Sequence, residues 1–432
     1  MSEERPVKKR HVYFAFSLLF ILYISDYASR MVIVSLFPFL KESWGISDAQ
    51  CGMMVSAVYW SITVLTFPIS VLIDRWSRRK AIGIMAGLWT LATALCAATG
   101  NFTQLFIARC MVGVGEAGYA PGGTAMISAL FPQNKRALIM GFWNMSIPLG
   151  SALGMVVGGF IAVKYGWQHA FLWIAVPGLI VSVLFFFVKD YETVQLVKTD
   201  DSSASADVSA TPTATKMSFK DTVREFTGTP SVMFTFFAFA CCTFVTTAMI
   251  SWLPTYYERM EGLTMDKASM KGSLVMLAAL VGAPLGGFLA DFWQKRRANA
   301  RMLFASIATL ATAFFLGLAF WVFDGTVEYV TLMFGGAAAV AFLPGAAAVT
   351  QDVIHPGLRA ISYAICVIVQ NLLGSSLGPL FVGAVSDKVG LAKAMSTLPF
   401  FMIGASILFF IGSFWYKRDL DKVAKVSLNF EE

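Results

Sequence analysis

The segments Asp74-Arg-Trp-Ser-Arg-Arg-Lys80 and Asp291-Phe-Trp-Gln-Lys-Arg-Arg297 share an uncommon order of residues. In each, an aspartate is followed two positions later by a tryptophan and then by a run of basic residues. Each segment closes a long apolar run, and half of the chain separates the two. A signature that recurs at this distance indicates two related halves with the same order of elements.

The rest of the sequence has the composition of a membrane protein. Hydrophobic residues make up 57% of the 432 residues and charged residues only 14%, whereas soluble domains contain about 25% charged residues. Strands are excluded, because runs this long and apolar lack the alternation of a barrel. A transmembrane helix needs about 20 apolar residues. Twelve runs are long enough: 12–40, 50–74, 81–99, 104–129, 137–163, 169–189, 232–257, 270–292, 301–322, 328–351, 359–386 and 394–416.

These runs predict an all-α membrane protein with twelve transmembrane helices in two six-helix pseudo-repeats. The segment rich in Ser, Ala, Thr and Asp between the halves is expected to be a flexible linker. At its end, Phe219, Val223 and Phe226 share one helical face, which favours a surface helix; a plain solvated connector is the alternative. The predicted segments are the first bundle, the linker, the second bundle and a tail, at 1–189, 190–230, 231–416 and 417–432.

Lysine and arginine are concentrated in the loops on one side of these helices, the side that also carries both termini. Cytoplasmic loops carry such an excess, so we predict cytoplasmic termini and a multi-pass protein of the plasma (inner) membrane. The net charge of +7 does not indicate nucleic acid, since the basic residues lie in short loops. The first apolar run continues past Pro38, so we expect a retained helix rather than a signal peptide.

No pattern for catalysis or for a cofactor is recognisable in the sequence. The six cysteines and three histidines lack the spacing of a zinc site or a disulfide framework, so no metal is expected. A phosphate-cradling Gly-Lys-Ser/Thr loop, a nucleophile–base pair and a channel filter are also missing. We therefore expect neither an enzyme, nor a channel, nor an ATP-driven pump.

The two charged segments resemble the loop between helices two and three of the major facilitator superfamily, roughly Gly-x-x-x-Asp-Arg-x-Gly-Arg-Arg. Here Ser70 and Ser77 replace the two glycines. The stretch Arg109-Cys-Met-Val-Gly-Val-Gly-Glu-Ala-Gly-Tyr119 resembles the Arg-x-x-x-Gly-x-Gly motif of the same family. The resemblance implies a twelve-helix transporter that works as a monomer. It also implies a gate that stabilises the outward-open state, formed here by Asp74, Arg75, Arg78, Arg79, Asp291 and Arg296.

Within that superfamily, the sequence resembles the spinster group. The similar stretches are Val112-Gly-Val-Gly-Glu-Ala117, Ile147-Pro-Leu-Gly-Ser-Ala-Leu-Gly154 and Gly378-Pro-Leu-Phe-Val-Gly-Ala-Val-Ser-Asp387. Asp26 matches an aspartate of the first helix, but Tyr27 stands where animal members have arginine. The resemblance implies an amphipathic lipid substrate of the sphingosine-1-phosphate or lysophospholipid type. The short chain without long tails suggests a bacterial member, and protons and membrane lipids are its other expected partners.

Four charged residues lie inside apolar runs: Asp26, Arg30, Arg109 and Glu116. A charged side chain at mid-membrane costs about 2.5–3.5 kcal/mol. The fold alone does not require charged residues there, so these four are candidates for function. The spacings of four and seven residues place Asp26 with Arg30, and Arg109 with Glu116, on common helix faces. We expect the four groups to meet in the central cavity. A static salt-bridge cluster that only orients the helices is the alternative.

The charges suggest how substrate and protons are coupled. Burial favours a neutral carboxyl group and a neighbouring arginine favours the carboxylate, so a moving helix changes the balance. We favour Glu116 as the proton carrier, with Asp26 as the alternative. Arg30 would then bind an anionic headgroup in a bidentate manner. Arg109 is a second candidate for the headgroup, with a structural role as its alternative.

Aromatic and polar residues on cavity-facing helices complete the predicted substrate pocket. An amphipathic pocket of this kind suits a lipid-like ligand, and the second half offers a mainly apolar wall. A proton-coupled carrier of a small organic anion or drug-like compound is the alternative function. The candidate contacts are Tyr23, Tyr27, Tyr59, Trp60, Tyr119, Trp143, Asn144, Thr243, Trp252, Tyr256, Tyr257, Gln370 and Asn371.

One helix carries glycines at the spacing of a close helix contact. Gly150, Gly154 and Gly158 recur every four residues behind Pro148. Small residues at this spacing let two helices approach closely. We therefore expect the fifth helix to pack tightly and to move during transport.

Overall fold

The computed structural model describes residues 9–75, 78–131, 133–188, 225–355 and 358–423. The predicted linker lies outside the described residues as far as residue 224, and so does most of the predicted surface helix. Within the described ranges, the chain consists almost entirely of helices joined by short connections. The prediction of an all-α protein is confirmed.

The first half begins with a long helix that changes to a 3₁₀ turn at Val32–Leu36 and continues. Its fourth span is broken between Glu116 and Tyr119, where the two helical segments meet. The helices of this half are α1 (Lys9–Met31), α2 (Phe37–Trp44), α3 (Asp48–Arg75), α4 (Arg78–Cys96), α5 (Phe102–Glu116), α6 (Tyr119–Leu130), α7 (Gln133–Asn144), α8 (Ser146–Tyr165) and α9 (Trp167–Phe185).

The second half repeats this order and contains a short π-helix at Gln370–Ser375. Single π-turns inside a long helix are frequent at functional positions. The helices of this half are α10 (Pro230–Glu261), α11 (Met265–Leu277), α12 (Ala279–Gln294), α13 (Ala300–Trp321), α14 (Gly325–Ala341), α15 (Leu343–Asp352), α16 (Arg359–Val369), α17 (Leu377–Val389), α18 (Leu391–Met395) and α19 (Leu398–Lys422).

Ten of the twelve predicted spans coincide with helices that are long and apolar enough to cross a membrane, counted within the described ranges. The predicted spans 81–99 and 104–129 are helical too. They do not meet the same length and hydropathy criteria: α4 starts with three basic residues, and the other span is divided between α5 and α6. The architecture is therefore as predicted, while the count of twelve spans stays a prediction for these two.

The two halves meet along two pairs of helices. In one pair α3 packs against α17, and in the other α8 packs against α11. We call the end of the bundle that carries Lys9 and Lys422 the terminal end. The opposite end, which carries the turns at Gly45, Gly262 and Gly390, is the far end.

The glycine stripe of α8 forms a close contact with α1. A Cβ at Gly154 would lie 2.8 Å from the Cα of Ala28, and a Cβ at Gly150 would lie 3.0 Å from that of Ile24. No side chain fits between these two backbones. The prediction of a tight contact is confirmed, and the movement of this helix stays a prediction.

Candidate functional site

A cluster of three charges lies inside the first half, where α1 faces the end of α5. Asp26 and Arg30 are one turn apart on α1, and Nη2 of Arg30 donates a 2.9 Å hydrogen bond to Oδ2 of Asp26. Glu116 is the last residue of α5, and its Oε2 lies 2.9 Å from Nε of Arg30. One guanidinium group therefore bridges two carboxyl groups from two helices.

The cluster has fewer donors than its acceptors need. Oδ1 of Asp26 and both carboxyl oxygens of Glu116 are buried without a hydrogen-bond donor from the protein. Arg30 Nε is close to Glu116 but is not aligned for a hydrogen bond, so this contact is an ion pair. Unmatched buried acceptors are costly. These oxygens are thus the atoms of the cluster where a proton has room to bind.

Arg30 is the accessible member of the cluster. Its side chain keeps 11% of its surface exposed, whereas those of Asp26 and Glu116 are fully buried. The guanidinium carbon lies 4.7 Å from the ring centre of Tyr27 and 5.9 Å from that of Tyr59. Cation–π contacts of this length hold a guanidinium over aromatic faces. An incoming anion would therefore meet Arg30 between two tyrosine rings.

Arg109 does not join this cluster. Its side chain is fully buried, and Nη1 and Nη2 donate 2.7 Å hydrogen bonds to the carbonyl oxygens of Ser29 and Arg30. Nε donates to the carbonyl of Met54 at 3.3 Å. The expected meeting of four charges is wrong for Arg109, because backbone carbonyls of α1 and α3 take its donors. Its contact with substrate stays a prediction.

Aromatic side chains form a buried layer behind the cluster. The ring of Tyr23 stacks on that of Trp143 at 4.3 Å and meets Tyr27 edge-on at 5.3 Å. The hydroxyl of Tyr119 donates to the carbonyl oxygen of Leu19 at 2.5 Å. Tyr23, Tyr119 and Trp143 are each at most 6% exposed. In this structure they support the tyrosine next to Arg30.

The candidate residues of the second half lie apart from the charge cluster. Trp252 is fully buried and donates through Nε1 to the carbonyl oxygen of Pro379 at 2.9 Å. Tyr256 is also buried, near the far end. Gln370 and Asn371 open the π-helix and are partly exposed. The structure thus divides these predicted contacts between the far end and the middle of the bundle, and their roles stay predictions.

A family comparison settles the class of protein. Residues 19–379 match the model of the Major Facilitator Superfamily. This chain belongs to the Major Facilitator Superfamily. It is therefore an integral, multi-pass membrane protein of a transporter family.

Two curated relatives of this superfamily protein have different names. The Hexuronate transporter of Bacillus subtilis (strain 168) is 28% identical over 86% of this chain and 87% of its own length. The Sphingosine-1-phosphate transporter SPNS2 of Danio rerio is 23% identical over 93% of this chain and 84% of its own length. The sequence similarity thus extends along nearly the whole chain in both cases.

A solved structure confirms the fold. The crystal structure of a bacterial homolog of the human lysosomal transporter spinster, in an inward-facing and unoccupied conformation, superimposes with a TM-score of 0.80. The match covers 96% of this chain and 99% of the other at 20% identity. The predicted resemblance to the spinster group is confirmed.

The predicted gate residues of this superfamily protein lie at the terminal end. The side chains of Asp74, Arg75 and Arg78 are outside what the structure describes. Nη1 of Arg79 donates to the carbonyl oxygen of Val188 at 3.1 Å. In the second half, Asp291 pairs with Arg301 at 2.8 Å, while Arg296 lies over the ring of Phe292. The gating role of these residues stays a prediction.

The sequence analysis missed a second group of charges, at the far end. Asp48 is 2% exposed. Its carboxylate forms ion pairs with Lys41 at 2.5 Å and with Arg259 at 2.8 Å. Lys41 and Arg259 count in the sequence only toward the distribution of charge between the two sides, and this use of them does not reveal the group. The spacing around Asp387 was the available signal, because it repeats the loop pattern at the other end of the bundle.

Proposed function

We propose that this chain is a secondary active transporter that moves an amphipathic, anionic lipid of the lysophospholipid or sphingolipid type by proton-coupled alternating access. The observation that carries the proposal is the position of Arg30. Its guanidinium group joins Asp26 and Glu116 and keeps 11% of the side chain exposed. A cation held by two acids, with one accessible edge, suits an anion that competes with those acids.

Protonation of a carboxyl group in the cluster couples proton movement to substrate binding. Asp26 and Glu116 each have a buried carboxyl oxygen without a protein donor, so each has a place for a proton. A neutral Glu116 attracts Arg30 less than its carboxylate does, which frees guanidinium N–H groups for the substrate anion. Deprotonation reverses the exchange and releases the anion. Asp26 is the alternative carrier, because it contacts the same guanidinium group.

The substrate class follows from the surroundings of Arg30. The names of the two relatives describe a sugar acid and a phosphorylated lipid, and arginine binds both carboxylates and phosphates in a bidentate manner. The rings of Tyr27 and Tyr59 beside Arg30 favour a substrate with an apolar part. A small organic anion is the second candidate, favoured by the relative named a hexuronate transporter.

The proposal also includes the orientation of the transporter in the membrane. The excess of basic residues in the loops at the terminal end supports cytoplasmic termini in a plasma (inner) membrane, and we include this orientation in the proposal. The far end then faces outward, and contacts between the halves bridge it in this structure. Alternating access requires those contacts to part and the terminal end to close in turn.

Reconstitution in liposomes with an imposed pH gradient tests the proposal. Uptake of a fluorescent lysophospholipid and of radiolabelled glucuronate is followed for the wild type, for Glu116→Gln and for Glu42→Gln. Glu42 is an exposed acid outside the cluster and controls for the loss of one carboxylate. We expect gradient-driven lipid uptake that falls at least about tenfold in Glu116→Gln, the effect of ~1.4 kcal/mol, and is unchanged in Glu42→Gln.

Other outcomes revise separate parts of the proposal. Lipid uptake at the same rate with and without the pH gradient, and in Glu116→Gln, indicates a facilitator. The proton would then have no part in the mechanism. Uptake of glucuronate without lipid uptake, in folded protein, replaces the lipid by a small organic anion. Arg30→Lys keeps the charge but not the bidentate geometry, so unchanged uptake in that variant contradicts the assigned role of Arg30.

A further inference from the structure

The stretch Gly383-Ala-Val-Ser-Asp387-Lys-Val-Gly390 has the spacing of the charged loop pattern, Gly-x-x-x-Asp-basic-x-Gly. The first part of the pattern, Gly-x-x-x-Asp, also occurs at Gly287 and Asp291, at the terminal end of α12, where Phe292 and Gln294 replace the basic residue and the second glycine. Asp387, however, closes α17 at the far end. The Gly-x-x-x-Asp spacing therefore occurs at both ends of the second half, and the full pattern with the basic residue and the second glycine is at the far end.

The contacts of Asp387 show what this arrangement does. Its Oδ1 accepts a 2.8 Å hydrogen bond from the N–H of Asp48, and its Oδ2 accepts a 2.9 Å hydrogen bond from the N–H of Ala49. Those N–H groups belong to the first turn of α3, where no intrahelical acceptor exists and the helix dipole favours a negative charge. A carboxylate of the second half thus caps a helix of the first half.

The two glycines of the stretch make this contact possible. A Cβ at Gly383 would lie 2.7 Å from the carbonyl carbon of Asp48 and 3.0 Å from the Cα of Ala49. Any side chain at this position would push α17 away from α3. Gly390 ends α17 with a φ of 89°, a conformation that side chains disfavour. The spacing therefore combines a close approach, a capping carboxylate and a helix stop.

The side chain of Asp48 adds an ion pair across the same contact. Nη1 and Nη2 of Arg259, in the second half, donate 2.8 Å hydrogen bonds to its two oxygens. The hydroxyl of Ser386 donates to Oδ2 at 2.6 Å, and Lys41 of the first half pairs with Oδ1. Bidentate, charge-assisted bonds of this type are stronger and more directional than neutral ones.

We propose that Asp387, Gly383 and the Asp48–Arg259 pair form a latch that holds the far end of the transporter closed, so that transport requires the latch to open. The inference rests on the proposed alternating access, and it assigns the closed state to contacts of α3 with α10 and α17. Asp387 is a positioning residue, because it acts through the start of α3 and not on the substrate.

Cys51 is a native reporter of this latch. It lies one turn after Asp48 on α3, and its side chain is fully buried. The thiol lies within electrostatic range of Arg259 and Asp387, so separation of α10 and α17 from α3 is expected to make it accessible to a water-soluble maleimide. Modification of Cys51 in detergent-purified protein is followed by peptide mass spectrometry, which needs neither substrate nor transport. A failed transport assay therefore does not decide this experiment.

We expect Asp387→Asn and Gly383→Ala each to raise the rate of Cys51 modification by about tenfold, because both shift the population towards an open far end. Gly383→Ala changes no charge, so a rise shared by both variants reports opening and not altered ionisation of the thiol. Glu42→Gln, an exposed acid at the same end, is expected to leave the rate unchanged. Asp387→Glu, which keeps a carboxylate, is expected to restore part of the closure.

Equal rates in the wild type, Asp387→Asn and Gly383→Ala would overturn the latch. A rise confined to Asp387→Asn would also overturn it, since a charge effect on the thiol then explains the result. The thermal unfolding midpoint of each variant is measured alongside, and only variants that unfold cooperatively are compared. Should Gly383→Ala fail to fold, Arg259→Gln takes its place with the same expected rise.

Discussion

The guanidinium group of Arg259, in the second half, donates two 2.8 Å hydrogen bonds to the carboxylate of Asp48, in the first half. The Asp48 side chain is 3% exposed and that of Arg259 is 27% exposed. The pair is therefore shielded from water on one side only, and it joins two helices that belong to different bundles. Its loss is expected to affect both stability and the balance between states.

Arg259→Gln is expected to lower the free energy of unfolding by about 1–3 kcal/mol. Removal of one partner from a buried ion pair costs about 3–5 kcal/mol, and the partial exposure of Arg259 together with the remaining Lys41 reduces this value. Thermal unfolding in detergent, followed by tryptophan fluorescence, measures the change. Lys267→Gln, which removes an exposed charge at the same end, is the matched control. A loss equal to that of the control would show that the pair contributes nothing to stability.

A cross-link at the far end tests whether the two halves must separate there. The hydroxyl groups of Ser35, in the first half, and Ser269, in the second, lie 2.9 Å apart. Because the two side-chain oxygens are this close, cysteines at both positions are expected to reach the geometry of a disulfide. We expect the double variant Ser35→Cys/Ser269→Cys to form the bond on mild oxidation, to lose uptake and to regain it with reductant.

The two single cysteine variants are the controls for this cross-link, because neither forms the bond within one molecule. Each is expected to keep its uptake under the same oxidation. Uptake that persists in the fully oxidised double variant would mean that the far end stays closed throughout transport. The proposed alternating access would then have to be abandoned.

Arg109 and Arg30 are expected to respond differently to the same substitution. Three nitrogens of Arg109 donate to the carbonyl oxygens of Met54, Ser29 and Arg30. Lysine carries its donors on one nitrogen, which does not reach acceptors on two helices at once. Ser29 and Arg30 lie in the last turn of α1, where carbonyl oxygens lack a regular helical donor. A buried carbonyl left unpaired there costs about 1–3 kcal/mol, so Arg109→Lys should reduce folded yield and unfolding temperature. Arg30→Lys should keep both and lose uptake. Normal stability with lost uptake in Arg109→Lys would place Arg109 in the substrate path instead.

The sequence predicted the parts of this structure that depend on local patterns. Long apolar runs specify helices because a backbone in lipid must satisfy its own hydrogen bonds. The four-residue spacing of Asp26 and Arg30 specified their pairing, and the spacing of Gly150, Gly154 and Gly158 specified a close helix contact. Each of these features is contained within one helix.

Contacts between helices were predicted less well, because they depend on how the bundle packs. Arg109 lies on the same face of its helix as Glu116, yet its donors reach carbonyl oxygens of α1 and α3. Nothing in the local pattern states which acceptor is nearer. Asp48 and Arg259 are far apart in the chain. In the sequence, each is a charged residue at the end of an apolar run, which is typical of the membrane–water interface. Only the repeat of the loop spacing at Gly383 and Asp387 indicated that this end carries a specific contact.

Gly154→Ala tests whether the tight contact between α8 and α1 is required. The added Cβ would lie 2.8 Å from the Cα of Ala28, a distance that forces the backbones apart. Overpacking of this kind costs about 1–3 kcal/mol, so we expect a lower unfolding temperature and reduced uptake. Gly141→Ala is the matched control, because a Cβ there meets nothing within 4 Å. It adds the same methyl group to a helix and is expected to leave both quantities unchanged or to raise stability slightly. Equal behaviour of the two variants would show that α8 has room to move away from α1 without cost.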